Sequence, residues 1–161
     1  MKIAVPRETG SGERRVALAP ESCRKLLQAG FTIAIESGAG AASWFTDDAY
    51  REAGCAVETD PAAMLEAADL VLKVNAPAAG NAGRDEVQWM RPGTILLASL
   101  MPLRNLETMR ALADRKVSAF STDAIPRTTR AQSMDTLSSQ GPQEVAAGPS
   151  WLSPAFAFVP V

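Results

Sequence analysis

Residues 125–139 hold the side chains best suited to binding chemistry. They read IPRTTRAQSMDTLSS and include two arginines, one glutamine, one aspartate, three threonines and three serines. Guanidinium forks, an amide, a carboxylate and small hydroxyls can together hydrogen-bond around a polar, planar ligand. The same residues would also suit a plain loop-to-helix junction, in which Ser133 or Asp135 caps the helix. Spacing alone leaves both interpretations open.

The chain contains no histidine among its 161 residues. Histidine-based metal sites, Ser-His or Cys-His nucleophilic pairs and histidine general bases are therefore excluded. The net charge of −2 gives no electrostatic reason to bind nucleic acid or an anionic membrane. The sequence has neither a signal-peptide core nor an apolar run of bilayer-spanning length. We therefore expect a soluble, cytosolic chain in which Cys23 and Cys55 are free, buried thiols.

Short apolar strands alternate with helical segments along residues 2–120. Runs such as LVLKV and TILLAS indicate buried strands, and residues 117–120 indicate the last strand. Pro20, Thr46 and Asn105 mark helix starts, and Asn105 is expected to cap a helix that runs to Arg115. This alternation predicts an α/β fold, with a mostly parallel sheet between two helical layers, in a Rossmann-like or flavodoxin-like arrangement.

Polar residues follow three of the predicted strands. They occupy the loop that begins at Arg7, residues 73–75, and the stretch after Phe120. Because ligands of such sheets bind outside the carboxyl ends of the strands, we expect these clusters to converge on one edge. The glycines of SGAGA predict a tight strand-to-helix turn rather than a phosphate cradle, since no G-x-G-x-x-G is present.

Four segments resemble one known family in their order and spacing: MKIAVPRETGSGERRVALAPES, FTIAIESGAGAAS, LVLKVNAP and IPRTTRAQSMDTLSSQ. They are similar to the N-terminal domain that alanine dehydrogenase shares with the alpha subunit of the proton-translocating NAD(P) transhydrogenase. The resemblance covers about residues 1–140. It implies an NAD(H)-binding component of an enzyme that passes hydride between NAD(H) and NADP(H) while protons are translocated.

The RAQSMD motif, followed by LSSQ, favours the transhydrogenase branch of this family. Alanine dehydrogenases of the family use a histidine in the loop after TILLAS, where this chain reads LMPLRN. Oxidation of an amino acid must manage a proton as the imine forms. Hydride exchange between two nicotinamides instead needs close rings and excluded water. An alanine-dehydrogenase-like NAD-dependent oxidoreductase and a non-catalytic assembly module remain the alternatives.

The resemblance assigns roles to four residues of the polar stretch. Arg127 would position the nicotinamide side of NAD(H), while Asp135 and Ser138 would hold the carboxamide and fix the face of the ring. Gln132 would reach towards the NADP(H) on a partner subunit, because an amide can donate and accept without adding charge. Gln132 and Asp135 are thus the predicted catalytic groups, and no metal is expected. Arg130 is expected to form only a surface or structural ion pair.

Arg15 and Lys73 match positions that bind the substrate carboxylate in alanine dehydrogenases. A transhydrogenase has no amino-acid substrate, so the resemblance favours a structural pair or solvated charges at the strand ends. Asp69 is likewise expected to be solvated.

The resemblance also implies partners and a location. These are a membrane subunit, an NADP-binding component and a second copy in a homodimer, with no nucleic acid and no membrane span of the chain's own. The chain would be cytoplasmic and peripheral to the inner membrane through those partners.

The resemblance is lost after about residue 140, where the sequence reads GPQEVAAGPSWLSPAFAFVPV. Its four prolines, single charge and lack of periodicity predict that residues 141–161 are not a domain. We interpret this tail as the product of a reading-frame change, with a disordered extension as the alternative. The family's glycine-rich Rossmann domain would then be absent, and the isolated chain would be inactive and bind NAD(H) only at millimolar concentrations.

Overall fold

The computed structural model describes residues 1–80 and 83–125. Six parallel strands form one sheet in the order β3-β2-β1-β4-β5-β6. The strands are β1 (Lys2–Val5), β2 (Thr32–Glu36), β3 (Ala56–Glu58), β4 (Leu70–Asn75), β5 (Ile95–Ser99) and β6 (Ser118–Ser121). The helices are α1 (Pro20–Gln28), α2 (Asp47–Ala53), α3 (Pro61–Glu66), α4 (Glu86–Trp89) and α5 (Leu106–Asp114), and short 3-10 turns occupy Ala41–Ser43 and Thr122–Ala124. β6 begins one residue later than the sequence predicts.

Two apolar clusters lie on opposite faces of the sheet, because successive side chains of a strand point to opposite sides. Ile3 and Val5 of β1 pack with residues of α1 and α2 on one face. Ala4 of the same strand packs with residues of α3, α4 and α5 on the other face. A sheet covered on both faces explains the nearly continuous apolar strands. The predicted three-layer α/β fold is confirmed.

Side-chain caps fix the starts of several helices. Thr46 Oγ1 accepts from the N–H of Ala49 at 3.2 Å, and Asp60 Oδ1 accepts from the N–H of Ala62 at 3.0 Å. Asn105 also stands at the N-cap position of α5, but the prediction that its side chain caps the helix is wrong. Its Nδ2 instead donates to the carbonyl of Leu100 at 2.7 Å, which ties the start of α5 to the end of β5.

The SGAGA segment forms the tight turn that its glycines predict. Gly38 adopts a φ of 77°, which favours glycine because it has no Cβ. Gly40 is needed for another reason: a Cβ there would lie 2.7 Å from Tyr50 Cε2 and 2.9 Å from the carbonyl oxygen of Phe45. The turn therefore lets α2 pack closely behind β2.

Cys23 and Cys55 are both buried and both free thiols, as predicted. In residues 1–80 and 83–125, no helix has the length and apolar character needed to cross a membrane.

Candidate functional site

Lys73 is the most deeply buried cation at the carboxyl edge of the sheet. It lies near the end of β4, and its side chain is only 1% exposed. Its Nζ lies 3.4 Å from Oε2 of Glu8 and 3.2 Å from Oε2 of Glu86. Both carboxylates are themselves buried, with side-chain exposures of 5% and 0%. Lys73 is therefore held between two carboxylates inside the protein.

Glu8 connects the loop after β1 to the end of β4. Its Oε1 accepts from the N–H of Val74 at 2.7 Å, and its Oε2 accepts from the N–H of Asn75 at 3.4 Å. Burial raises the pKa of Glu8 above its ordinary value, and the attraction of Lys73 and the two N–H groups opposes that rise only in part. The β-ladder between β4 and β5 is irregular between Leu72 and Asn75, where these N–H groups turn to Glu8.

Arg84 joins Glu86 to Glu36, at the end of β2. Its Nη1 and Nη2 donate to the two oxygens of Glu36 at 2.8 and 2.7 Å, a bidentate pair. The same guanidinium donates to Oε1 of Glu86 from Nε at 3.0 Å and from Nη2 at 2.8 Å. Its Nη2 also donates to the carbonyl of Arg7 at 3.2 Å. The loops after β1 and β4 are thereby fastened to the end of β2.

The pKa shifts of Glu36 and Arg84 follow from these hydrogen bonds. Burial works against ionisation of Glu36, but hydrogen bonds from Arg84 and from the N–H of Arg7 outweigh it and lower the pKa of Glu36. The hydrogen bonds from Glu36 and Glu86 raise the pKa of Arg84, so the guanidinium stays charged. It also lies 5.9 Å from the centroid of the Trp89 ring, within cation–π range.

Arg15, Glu13 and Asn75 form a neighbouring group at the same edge. Arg15 donates from Nε and Nη2 to the two oxygens of Glu13 at 2.9 and 2.7 Å. Asn75 Nδ2 donates to Oε2 of Glu13 at 2.7 Å. The hydrogen bond with Arg15 is the main reason that the pKa of Glu13 is lowered to about 2.

The structure brings together two of the three polar clusters predicted at strand ends. The loop that begins at Arg7 and residues 73–75 meet through Glu8, Glu13 and Arg84. For Lys73 the resemblance leaves two alternatives, and its pairing with two glutamates matches the structural pair rather than the solvated charge. Asp69 is not simply solvated either, because it accepts from the N–H of Lys2 at 2.7 Å and pairs with Arg91.

The linked ion pairs around Lys73, Arg84 and Arg15 form one charge network at the carboxyl edge. Sequence reasoning missed four of its members, namely Glu8, Glu36, Arg84 and Glu86. Glu36 ends a predicted strand and Glu8 lies two residues after another, so their positions were a usable signal. Arg84 and Glu86 lie in the loop and short helix after β4, where spacing gives no sign of a buried contact.

The network leaves its cations already compensated. Lys73, Arg84 and Arg15 are each paired with at least one carboxylate. An incoming carboxylate ligand would have to displace a glutamate that is already in contact. In the part of the chain that the structure describes, no group of three or more His, Cys, Asp or Glu side chains could hold a metal ion. The contacts of Glu8 and Arg84 in this network hold the loops after β1 and β4 against the strand ends.

The third cluster lies at the end of β6, where the polar stretch begins. Asp123 accepts from the N–H of Leu100 at 2.8 Å and from that of Met101 at 3.1 Å. Ser121 donates to Asp123 at 2.6 Å. Burial opposes ionisation of Asp123, but these hydrogen bonds outweigh it and lower its pKa. The chain is thus fastened to the end of β5 just before Ile125.

The four residues predicted to bind the cofactor lie outside the described residues. Arg127, Gln132, Asp135 and Ser138 all follow Ile125, the last residue that the structure describes. Their roles stay predictions.

The sheet order, its parallel strands and its two helical layers define a Rossmann-like α/β domain. A family model described as "Alanine dehydrogenase/PNT, N-terminal domain" matches residues 4–143. The chain belongs to this family.

Several relatives and solved structures are similar to the chain. The NAD(P) transhydrogenase subunit alpha (first part) of Rhodospirillum rubrum is 44% identical over 140 residues, which cover 87% of this chain and 36% of the relative. Alanine dehydrogenase 2 of Staphylococcus aureus is 32% identical over 125 residues, covering 78% and 32%. The crystal structure of transhydrogenase from Sinorhizobium meliloti matches with a TM-score of 0.78 and 38% identity, covering 87% of this chain and 38% of that one. An L-alanine dehydrogenase structure matches with a TM-score of 0.74 and 28% identity, covering 83% and 35%.

The chain spans about a third of the length of these relatives. The family model describes the region that they share as an N-terminal domain. The activity and the partners of the whole relatives therefore come to this chain only as proposals.

Proposed function

We propose that this chain is the first subdomain of the NAD(H)-binding component of a proton-translocating NAD(P) transhydrogenase. Identity of 44% with a transhydrogenase subunit over 140 residues, against 32% over 125 residues with an alanine dehydrogenase, is the observation that carries the proposal. The intact enzyme would pass hydride between NAD(H), held partly by residues 125–139, and NADP(H) on a partner subunit.

The described network supports this choice over an amino-acid dehydrogenase. Lys73 and Arg15 would have to bind the carboxylate of an amino acid, but each is already paired with glutamate. The chain also has no histidine to manage the proton of imine formation. Hydride exchange between two nicotinamides requires neither group.

The residues that act on the cofactor are proposed from the resemblance. Arg127, Asp135 and Ser138 hold the nicotinamide end of NAD(H), and Gln132 faces the NADP(H) of the partner. Asp123 supports this arrangement, because it fastens the start of the polar stretch to the edge where ligands of parallel sheets bind. Close alignment of two rings is sensitive to small displacements, so these side chains would act mainly by positioning.

The partners and the domain limits belong to the same proposal. The domain comprises residues 1–140, and residues 141–161 form no domain. A membrane subunit, an NADP-binding component and a second copy of the NAD(H)-binding subunit complete the enzyme, which places this component in the cytoplasm beside the inner membrane. Proton translocation takes place in the membrane subunit.

A chimera tests the proposed function. Residues 1–140 replace the matching segment of the Rhodospirillum rubrum subunit, and the other subunits are supplied. We expect the chimera to transfer hydride from NADH to an NADP analogue, and Gln132→Ala to lower kcat on the order of 100-fold by loosening ring alignment. Gln28→Ala, an exposed change at the end of α1, is the matched control and should keep the activity.

The rival functions give different results in the same design. A folded chimera without hydride transfer would refute the proposal and favour an assembly module. A second chimera carries residues 1–125 in the Staphylococcus aureus alanine dehydrogenase. NADH oxidation that depends on pyruvate and ammonia in this second chimera would favour the dehydrogenase alternative.

A further inference from the structure

The two cysteines of the chain share one buried apolar cluster. Cys23 lies in the middle of α1 and is 0% exposed, while Cys55 directly follows α2 and Gly54 and is 6% exposed. Both belong to the cluster that packs α1 and α2 against one face of the sheet. The proposed hydride transfer uses neither thiol.

The packing of α1 against the end of α2 brings these thiols together. Leu27 lies one helical turn after Cys23 on the same face of α1. Gly54, the residue before Cys55, lies close to this leucine: a Cβ added at Gly54 would be only 3.2 Å from Leu27 Cδ1. Gly54 turns the chain with a φ of 97°, and the N–H of Cys55 donates back to the carbonyl of Tyr50 at 3.0 Å. This turn directs the chain at Cys55 back towards α1.

The two thiols belong to one buried cluster and influence each other's ionisation. A hydrogen bond between the thiols raises the pKa of Cys23 and lowers the pKa of Cys55. Tyr50 belongs to the same buried cluster as both cysteines and donates from its hydroxyl to the carbonyl of Leu18 at 2.8 Å, which further ties α2 to the segment before α1.

We propose that Cys23 and Cys55 are a redox-active pair, which hydrogen peroxide oxidises to a disulfide linking α1 to the segment between α2 and β3. Peroxide suits this place because it is small enough to reach a thiol with little exposed surface. A larger oxidant would first require α1 and α2 to separate.

The reaction has two steps. Cys55 is the more exposed of the two residues. Its thiolate attacks one oxygen of hydrogen peroxide, the O–O bond breaks, and the released hydroxide takes a proton and leaves as water. Cys55 becomes a sulfenic acid. The sulfur of Cys23 then attacks the Cys55 sulfur, the S–O bond breaks, and the thiol proton of Cys23 leaves with the hydroxyl as water. Two thiols lose two electrons and two protons in total, and one peroxide yields two waters.

Peptide mapping under non-reducing conditions tests this proposal on the whole chain. The native protein is treated with hydrogen peroxide, quenched with catalase, alkylated in denaturant and digested with trypsin. We expect the peptides of residues 16–24 and 52–73 to appear joined, with a mass two hydrogens below their sum. The joined pair should separate on reduction with dithiothreitol.

A thermal measurement gives a second readout. Closing the loop between the two cysteines restricts the unfolded chain, so oxidation should raise Tm by roughly 5–15 °C, and dithiothreitol should reverse the rise. Cys55→Ala and Cys23→Ala are the matched variants, and each should lose both the joined peptide and the rise in Tm. The wild-type peptide map stands without either variant if one fails to fold.

Three results would overturn the proposal. The first is a native chain that keeps both thiols available for alkylation after peroxide treatment. The second is oxidation of Cys55 to sulfinic acid without a joined peptide. The third is a disulfide that links two chains, seen as a dimer on a non-reducing gel.

Discussion

At the scale of single residues, the buried charges at the carboxyl edge depend on one another. Lys73 stands between Glu8 and Glu86, and Arg84 stands between Glu86 and Glu36. A buried charge without a partner is far costlier than a buried pair. In the described residues no buried side-chain nitrogen or oxygen lacks a hydrogen-bond partner. Removing one member therefore affects the whole group.

Replacement of Lys73 tests this interdependence. Lys73→Met keeps most of the side-chain volume but leaves Glu8 and Glu86 without their shared cation. We expect the free energy of unfolding to fall by about 3–5 kcal/mol at neutral pH, measured by urea denaturation. The loss should be smaller at acid pH, where Glu8 is protonated, because the neutral acid no longer requires a cation.

Lys25→Met is the matched control for this change. Lys25 is exposed in the last turn of α1, so its replacement should alter the free energy of unfolding by no more than about 0.5 kcal/mol. If Lys73→Met and Lys25→Met have equal effects, the buried network does not stabilise the fold.

At the scale of elements, the alternation of strands and helices was enough to predict the sheet and its two helical layers. Apolar runs such as β4 can be recognised locally, and so can caps such as Asp60 and Thr46. The partners of Lys73 could not be recognised in this way, because Glu8 and Glu86 lie far from it in sequence. Glu8 meets Lys73 because the carboxyl ends of β1 and β4 share one edge, and Glu86 reaches Lys73 from the first position of α4. The side chain of Asn105 fails its prediction for a different reason: its Nδ2 donates to the carbonyl of Leu100, five residues earlier and just after β5, and does not cap α5.

The turn between β2 and α2 offers a test of close packing at this scale. Gly40→Ala would place a Cβ 2.7 Å from Tyr50 Cε2 and 2.9 Å from a backbone oxygen of Phe45. The backbone oxygen cannot move aside as a flexible side chain would, so α2 must shift. We expect a loss of roughly 1–3 kcal/mol in the free energy of unfolding, measured by chemical denaturation.

Gly10→Ala is the control for the loss of a glycine. A Cβ at Gly10 would meet its nearest neighbour, Asn75 Nδ2, at 3.6 Å, which is ordinary contact. The stability of this variant should stay within about 0.5 kcal/mol of the wild type. A Gly40→Ala variant as stable as Gly10→Ala would show that the turn tolerates a side chain.

At the scale of the whole molecule, residues 1–80 and 83–125 carry a six-stranded parallel sheet without the glycine-rich turn of a dinucleotide-binding domain. Rossmann domains place a pyrophosphate at a glycine-rich turn and the N-terminus of a helix. This sequence contains no G-x-G-x-x-G. The space beside Gly40 is already filled by Tyr50 of α2 and by Phe45. The polar stretch could contact only the nicotinamide end of NAD(H) in the proposed arrangement.

The affinity of the isolated chain for NADH follows from this difference. A few hydrogen bonds contribute about 1 kcal/mol each, whereas association costs at least about 4 kcal/mol. The hydrogen bonds therefore exceed that cost by little, if at all. We expect isothermal titration of the 161-residue chain with NADH to give a Kd no tighter than about 1 mM. The chimera, which joins residues 1–140 to the rest of the Rhodospirillum rubrum subunit, should bind far more tightly, and Arg127→Ala should weaken that binding. Micromolar affinity of these 161 residues would instead mean that residues 125–139, with the strand ends that support them, hold the cofactor by themselves.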